Sequence, residues 1–325
     1  MSLITEREQA LEVIRWLISK QASMAVFCTA SHWNTEAILL AASRFSQKNK
    51  IKEIPLAIAM TFNYPYMAQA KRVTYTKDPV SGFVSVMEHI KVLCDGEDSP
   101  YGNVVVLPHL DHADPVKDKW ALTKGLPYLA SVMFDAQKYP PEENIVLTRK
   151  YVKKYGSQVL IEGIMEELSV EGYTHVRGDD RYVEKAVDYV SKTRVDFLVA
   201  DLGTEQQSSS IGKCEYLGDR ARELTMNLGK AMLVLHGTSC LSNKQMTSLP
   251  EDGIVRVNMW TRIARKSGQY AAQKLVERMD QIRKGDFESA ESRQYIFDSI
   301  EKAADIMEET LELLGYMNLR EDKRL

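Results

Sequence analysis

The chain has 325 residues, 44% of them hydrophobic and 27% charged, with 17 Gly and 10 Pro. That apolar share is enough for a sizeable core and excludes intrinsically disordered, collagen-like and disulfide-scaffold classes. Its 42 Lys and Arg against 45 Asp and Glu leave a net charge of −3, which is no electrostatic footprint for nucleic acid. No apolar run approaches the roughly 18 residues that a spanning helix needs. The first residues carry Glu6, Glu8, Glu12 and Arg15 and do not read as a secretory leader. The four cysteines are scattered, without a C-x-x-C pair. Neither a membrane partner nor a nucleic-acid partner is expected, and a cytoplasmic location is.

The first strand candidate is Met24–Thr29, followed by a helical pattern from Thr35 to Gln47 with Ile38, Leu39, Ala42 and Phe45 on one side. A second strand, Pro55–Met60, leads into a long connection, Thr61 to Gly102, that predicts an extra helix or lid. Strands follow at Asn103–Pro108 and Leu129–Phe134, then a helix from Glu142 to Tyr155 announced by Pro140 and Pro141. Strand Gln158–Glu162, helix Asp180–Thr193, strand Asp196–Leu202 and helix Glu215–Lys230 continue the alternation. Strand Ala231–His236, helix Ser242–Leu249 and strand Ile254–Met259 complete it. Two long helices close the chain, the second with Ile300, Ala303, Met307, Leu311 and Leu314 on one face. Most strands are continuous apolar runs, as parallel strands buried on both faces are. Strand then helix, eight times, predicts an α/β (β/α)8 TIM barrel in a single domain spanning 1–325, with extra helices at both termini. The alternative is an open doubly wound sheet with a second domain.

In a barrel the chemistry sits on the loops after the C-terminal strand ends. The third strand is followed by His109-Leu110-Asp111-His112, the fourth ends at Asp135 and the fifth at Glu162. The sixth runs into Gly203-Thr204-Glu205-Gln206-Gln207 and Ser208–Ser210, the seventh into His236-Gly237-Thr238-Ser239, and the eighth into Asn258-Met259-Trp260-Thr261. Cys28 and Cys240 fall near the same rim and read as buried small apolar residues.

These blocks resemble the class II, metal-dependent fructose-bisphosphate aldolases. Asn103–Asp114, NVVVLPHLDHAD, resembles that family's HLDHG strand, and Leu129–Lys154 resembles its SVMIDxSxxPxEENIxxTK segment. Val195–Thr204 is similar to VDALAVAIGT, Leu233–Met246 to LVLHGGSGxxxEQ, and Gly253–Thr261 to GIxKxNIxT. The resemblance implies aldol cleavage or condensation of a phosphorylated ketose, with a sugar-phosphate epimerase or a non-catalytic binding subunit as alternatives. It implies a divalent metal, zinc first among them, and a homo-oligomer, for which the C-terminal helices offer a surface.

By the resemblance, His112 and His236 fall on metal-ligand positions, and imidazole suits a catalytic zinc that keeps an open coordination position. Where the family has a third histidine, this chain has Gln206. Three outcomes stay open: Glu205 or another carboxylate completes the set, a different divalent ion is preferred, or the site is empty. Asp135 and Glu162 are secondary metal candidates. Asp111 is the acid/base candidate, one residue before a histidine ligand. Gly203, Gly237, Ser239, Asn258 and Thr261 form the expected phosphate and substrate cradle, in the position where barrels commonly hold phosphate. Arg262 is a candidate contact for a substrate carboxylate or phosphate. Of the acidic residues after the fifth strand, Glu166, Glu167 and Glu171 are candidates for a further proton-transfer group.

Overall fold

The computed structural model describes residues 2–96, 98–166, 168, 181–208 and 214–320. Its elements follow in order: α1 (Arg7–Ser19), β1 (Met24–Cys28), α2 (His32–Asn49), β2 (Ile54–Thr61), α3 (Ala70–Val73), α4 (Pro79–Cys94) and β3 (Val104–Ala113). Then come β4 (Ser131–Phe134), α5 (Pro141–Tyr155), β5 (Leu160–Ile164), α6 (Tyr182–Thr193), β6 (Phe197–Val199), α7 (Gly218–Leu228) and β7 (Leu233–Leu235). The chain finishes with α8 (Asn243–Ser248), β8 (Ile254–Met259), α9 (Thr261–Arg283), α10 (Phe287–Ala290) and α11 (Ser292–Leu313). The eight strands close into a barrel in chain order, all parallel, with β8 pairing back onto β1.

Local chemistry sets the helix ends. Ser31 caps α2 by accepting from the Asn34 amide, and Ser242 and Gln245 form a reciprocal capping box on α8. The helix α5 starts on Pro141, where a missing N–H costs nothing, with Glu142 and Glu143 in its first turn and Lys153 and Lys154 in its last. The long second connection does hold an extra helix, the single turn α3 before α4. The expected helix after every strand fails once. Between β3 and β4 the chain forms only a 3₁₀ turn at Leu126–Tyr128, in a stretch broken by Pro115, Gly125 and Pro127.

The strand β3 is longer than its apolar run suggests. It continues through His109, Leu110, Asp111 and His112 to Ala113, because Leu110 and Ala113 still pair with Val132 and Phe134 of β4 across an irregular register. At the irregularity His112 takes φ +46°. Successive side chains on a regular strand point to opposite faces. The left-handed turn at His112 breaks that alternation and allows neighbouring Asp111 and His112 to face the same cleft, as bulges commonly do beside active sites.

Polar groups fill part of the barrel's interior. Arg256 of β8 reaches Glu162 of β5 at 3.0 Å and the Ser131 hydroxyl of β4 at 2.9 Å. His109 of β3 pairs with the same hydroxyl at 2.9 Å. None of these four side chains is more than 1% exposed. Contacts between strands so far apart around the circle run across the lumen.

The turn after β6 shows why a glycine stands at Gly203. Its φ is +80°, and a Cβ there would come within 2.1 Å of the Glu215 carbonyl oxygen. Gly203→Ala is therefore expected to cost at least about 2 kcal/mol of stability, read as a lower urea midpoint, since backbone on one side and a left-handed φ on the other leave no room to relax. An unchanged midpoint would contradict this packing.

The cysteines correct one expectation. Cys240 is not a lone buried apolar residue but forms a disulfide with Cys214, with Cα atoms 5.7 Å apart, tying the chain just before α7 to the loop after β7. Their 26-residue separation carries no local sequence signal for the pairing. Cys28 is a buried free thiol.

Candidate active site

The C-terminal strand ends surround a cleft holding about 940 Å³ of atom-free space, its mouth included. Asp111, His112, His236, Gly237, Ser239 and Asn258 line its floor, and α11 contributes Ile306, Glu309, Thr310 and Leu313 to its wall. Among the described residues one group of acidic, imidazole and thiol side chains is spaced to hold a cation: Asp111, His112 and His236, each offering a donor atom within 4.8 Å of the others. All three are buried.

His112 and Asp111 are oriented by hydrogen-bonding neighbours. The His112 Nδ1 meets the Asp135 carboxylate at 2.8 Å, which leaves Nε2 for a ligand role. A carboxylate behind an imidazole is the usual device for fixing the tautomer of a metal ligand. One face of the ring stacks on Tyr64, with centroids 4.1 Å apart. Burial alone would lower the His112 pKa, but Asp111 and Asp135 carry it above the usual imidazole value. His236 is pushed well below that value by burial, then by repulsion from His112 and Arg256, so its ring is neutral. Its Nε2 is buried with no hydrogen-bond partner. An unmade bond of that kind is costly unless a ligand completes it. The Asn258 amide donates to Asp111 Oδ1 at 3.2 Å, and the Cys28 thiol lies 3.8 Å from Oδ2. Burial raises the Asp111 pKa and keeps the Cys28 thiol protonated by raising its own.

The loops after β6, β7 and β8 are laced together. The Thr204 hydroxyl donates to the His236 carbonyl at 2.6 Å and the Thr238 hydroxyl to the Asn258 carbonyl at 2.8 Å. Gly237 has φ +71°, and a Cβ on it would come within 2.8 Å of the Glu205 backbone. The Ser239 hydroxyl is buried without a hydrogen-bond partner, and so is Asn258 Oδ1. Both residues line the cleft and carry unused bonding capacity. Thr261 and Arg262, the first residues of α9, line the cleft as well. A helix N-terminus beside free hydroxyls is a favourable place for an anion.

The match of this chain to the family model described as "Fructose-bisphosphate aldolase class-II" runs over residues 18–318. The chain belongs to the class II fructose-bisphosphate aldolase family. Its sequence is 28% identical over 174 residues to a fructose-bisphosphate aldolase of Helicobacter pylori, covering 50% of this chain and 53% of that one. It is 31% identical over 169 residues to a 6-phospho-5-dehydro-2-deoxy-D-gluconate aldolase of Bacillus velezensis, covering 49% and 54%. The matched part thus spans about half the length of these curated relatives. Among solved structures, the fold is similar to fructose-bisphosphate aldolase from Campylobacter jejuni, with a TM-score of 0.77 at 15% identity, covering 98% of this chain and 97% of that one. The YdjI aldolase from Escherichia coli K12 gives a TM-score of 0.64 at 17% identity, covering 93% and 94%.

Within this family member the expected site residues separate by where the barrel places them. Asp111, His112, Gln206, His236, Gly237, Ser239, Asn258 and Thr261 all line the cleft. Asp135 stands behind His112, and Glu162 lies in the lumen on Arg256, where its charge is matched by a guanidinium. Gly203 and Glu205 do not line the cleft; Gly203 serves the turn geometry instead. Glu166 is described and lies outside the cleft lining, whereas Glu167, Glu171, Ser209 and Ser210 fall outside the described residues. Sequence reasoning missed Tyr64, whose only local signal is a run of aromatics around a proline, Asn63-Tyr64-Pro65-Tyr66. It also missed the contribution of α11 to the cleft wall, which no motif announces.

No helix among the described residues is long and apolar enough to cross a membrane.

Proposed function

We propose that this chain catalyses metal-dependent aldol cleavage and condensation of a phosphorylated ketose. The observation that carries this reading is the buried group of Asp111, His112 and His236 in a cleft that Gly237, Ser239 and Asn258 also line. The donor set fits a divalent cation. His236 Nε2 is an orphan in a buried position, and the Asp135 contact frees the distal nitrogen of His112. His112 and His236 would hold the ion, with the Asp111 carboxylate in reach. Two imidazoles and a carboxylate make a recognised catalytic zinc set, so zinc is the first ion to try. A divalent cation bound there supplies a Lewis acid that polarises a substrate carbonyl.

The chain's own groups do the rest. Asp111 takes the proton from the hydroxyl beside the carbon–carbon bond during cleavage and returns it during condensation. Its two oxygens are held by Asn258 and Cys28, both neutral donors, so the carboxylate is fixed by contacts that carry no charge of their own. The Ser239 hydroxyl, the backbone at Gly237 and the start of α9 at Thr261 and Arg262 bind the phosphate end. The resemblance also supports a homo-oligomer.

The test is a panel of ketose phosphates incubated with the zinc-loaded protein and assayed for aldehyde products and for epimers. Aldehyde release supports the aldolase. Epimers without aldehyde would move the assignment to an epimerase, and no turnover by metal-loaded protein would leave a binding subunit. Asp111→Asn is expected to lower kcat by about 10²- to 10⁴-fold, the range of general acid–base catalysis. An Asn variant with ordinary turnover would remove Asp111 from this role.

A further inference from the structure

Gln206 occupies the place of the third family histidine, and its two ends are in different situations. Its Oε1 accepts a hydrogen bond from the Tyr64 hydroxyl at 3.3 Å. Its Nε2 is buried and has no hydrogen-bond partner. Both side chains line the cleft beside His112 and His236. Tyr64 is itself well placed to aim the amide, because its ring lies flat on His112, at an interplanar angle of 13°. The backbone is also constrained here. Gln207 takes φ +59°, and Glu205 presses on Gly237 so closely that no Cβ fits between them.

An amide nitrogen carries two N–H donors and offers no lone pair to a cation. With its oxygen engaged by Tyr64, Gln206 presents a donor to the cleft. A buried donor without an acceptor is costly in the resting protein and is satisfied when an oxygen arrives. We propose that Gln206 is a hydrogen-bond donor to the substrate, aimed by Tyr64, and not a ligand of the cation. This inference rests on the aldolase reading above for the identity of the substrate. The acceptor is a substrate oxygen that gains negative charge as the carbon–carbon bond breaks. A preorganised neutral donor at such an oxygen acts more strongly in the transition state than in the ground state. The cation would then be held by His112 and His236, with the Asp111 carboxylate in reach for its proton-transfer role, and Gln206 replaces a lost ligand with a contact to the reacting molecule. Tyr64 acts through Gln206 and is a positioning residue.

The experiment pairs cobalt binding with steady-state kinetics on the full chain. Cobalt is titrated into wild type, Gln206→Ala, Tyr64→Phe and His112→Ala, following the d–d absorption bands and the affinity against a competing chelator. Gln206→Ala is expected to keep the wild-type bands and affinity while kcat falls about 10²- to 10³-fold with little change in KM, the loss typical of a single oxyanion donor. Tyr64→Phe keeps the ring on His112 and loses only the hydroxyl. It is expected to shift kcat in the same direction by a smaller factor, again with unchanged cobalt bands. A change of band pattern in Gln206→Ala, or a fall in cobalt affinity beyond the roughly 100-fold that loss of a group outside the ligand set can cost, would make Gln206 a ligand and overturn the proposal. Equal kcat in Gln206→Ala and wild type would overturn it too. Wild-type protein that takes up cobalt but cleaves no ketose phosphate sinks the aldolase reading instead, and the cobalt comparison still decides whether Gln206 is a ligand.

Discussion

His236→Ala is expected to abolish the response of the protein to divalent metal and to lower turnover by at least about 10³-fold, because a Lewis acid contributes several kcal/mol to a reaction of this class. The expected effect on stability has two opposite parts. In the metal-free protein the imidazole is buried, neutral and leaves Nε2 without a partner. Such an unsatisfied group costs about 1–3 kcal/mol, so its removal is expected to leave the apoprotein no less stable than wild type, once the small cavity is set against it. With metal present the order reverses. A cation that binds only the folded state stabilises by RT ln(1 + [L]/Kd), about 4 kcal/mol at a thousandfold excess over Kd. Wild type should therefore melt higher as zinc is added, and His236→Ala should not. Thermal unfolding of both proteins, with and without zinc and after chelator treatment, reads all four corners of this comparison. A variant that retains the full zinc-dependent rise would remove His236 from the metal site, and with it the donor set on which the functional reading stands.

Much of the barrel was legible because its signals are local or repeated. Buried parallel strands must be apolar on both faces, and eight such runs separated by helical periods admit few other closures. The two histidines stood out because the blocks around them resemble the family's motifs; a polar ring at a strand end alone would read as a hydrogen-bonded structural residue. What could not be read depends on contacts between distant segments. The left-handed turn at His112, which turns Asp111 and His112 to one side, arises from the register of β3 on β4. The Cys214–Cys240 disulfide depends on two loops that meet only after the barrel has closed. Tyr64 reaches Gln206 across 142 residues of chain. Glu162 has the spacing of a rim residue in the sequence, yet points into the lumen, and only the position of Arg256 three strands further on explains why a carboxylate is tolerated there.

That lumen pair gives the largest expected effect on stability. Arg256→Met is expected to cost about 3–5 kcal/mol, the usual result when one member of a buried ion pair is removed and the other stays behind. Arg256 is 1% exposed and Glu162 is not exposed at all, so water cannot take the place of the missing guanidinium. The Ser131 hydroxyl would lose its donor as well. The loss should depend on pH in a definite direction. Burial raises the Glu162 pKa to about 7 even though the Arg256 charge opposes the rise. A carboxyl whose folded pKa lies above its unfolded value near 4.5 favours the folded state fully at pH values below 4.5. It loses that contribution as pH climbs through the folded pKa. Without Arg256 the folded pKa moves higher still, so the window over which stability is lost extends further into the alkaline side. The variant should lie closest to wild type near pH 5 and fall furthest behind above pH 8, by about the 3–5 kcal/mol stated. Adding Glu162→Met removes the stranded charge, and the double variant should regain most of the loss and its pH dependence, since apolar replacements of a whole buried pair are often neutral. Urea unfolding of the three proteins across that pH range measures each term. A single variant equal to wild type at pH 8, or a double variant no better than the single one, would show that the pair does not hold the lumen together in the way its geometry implies.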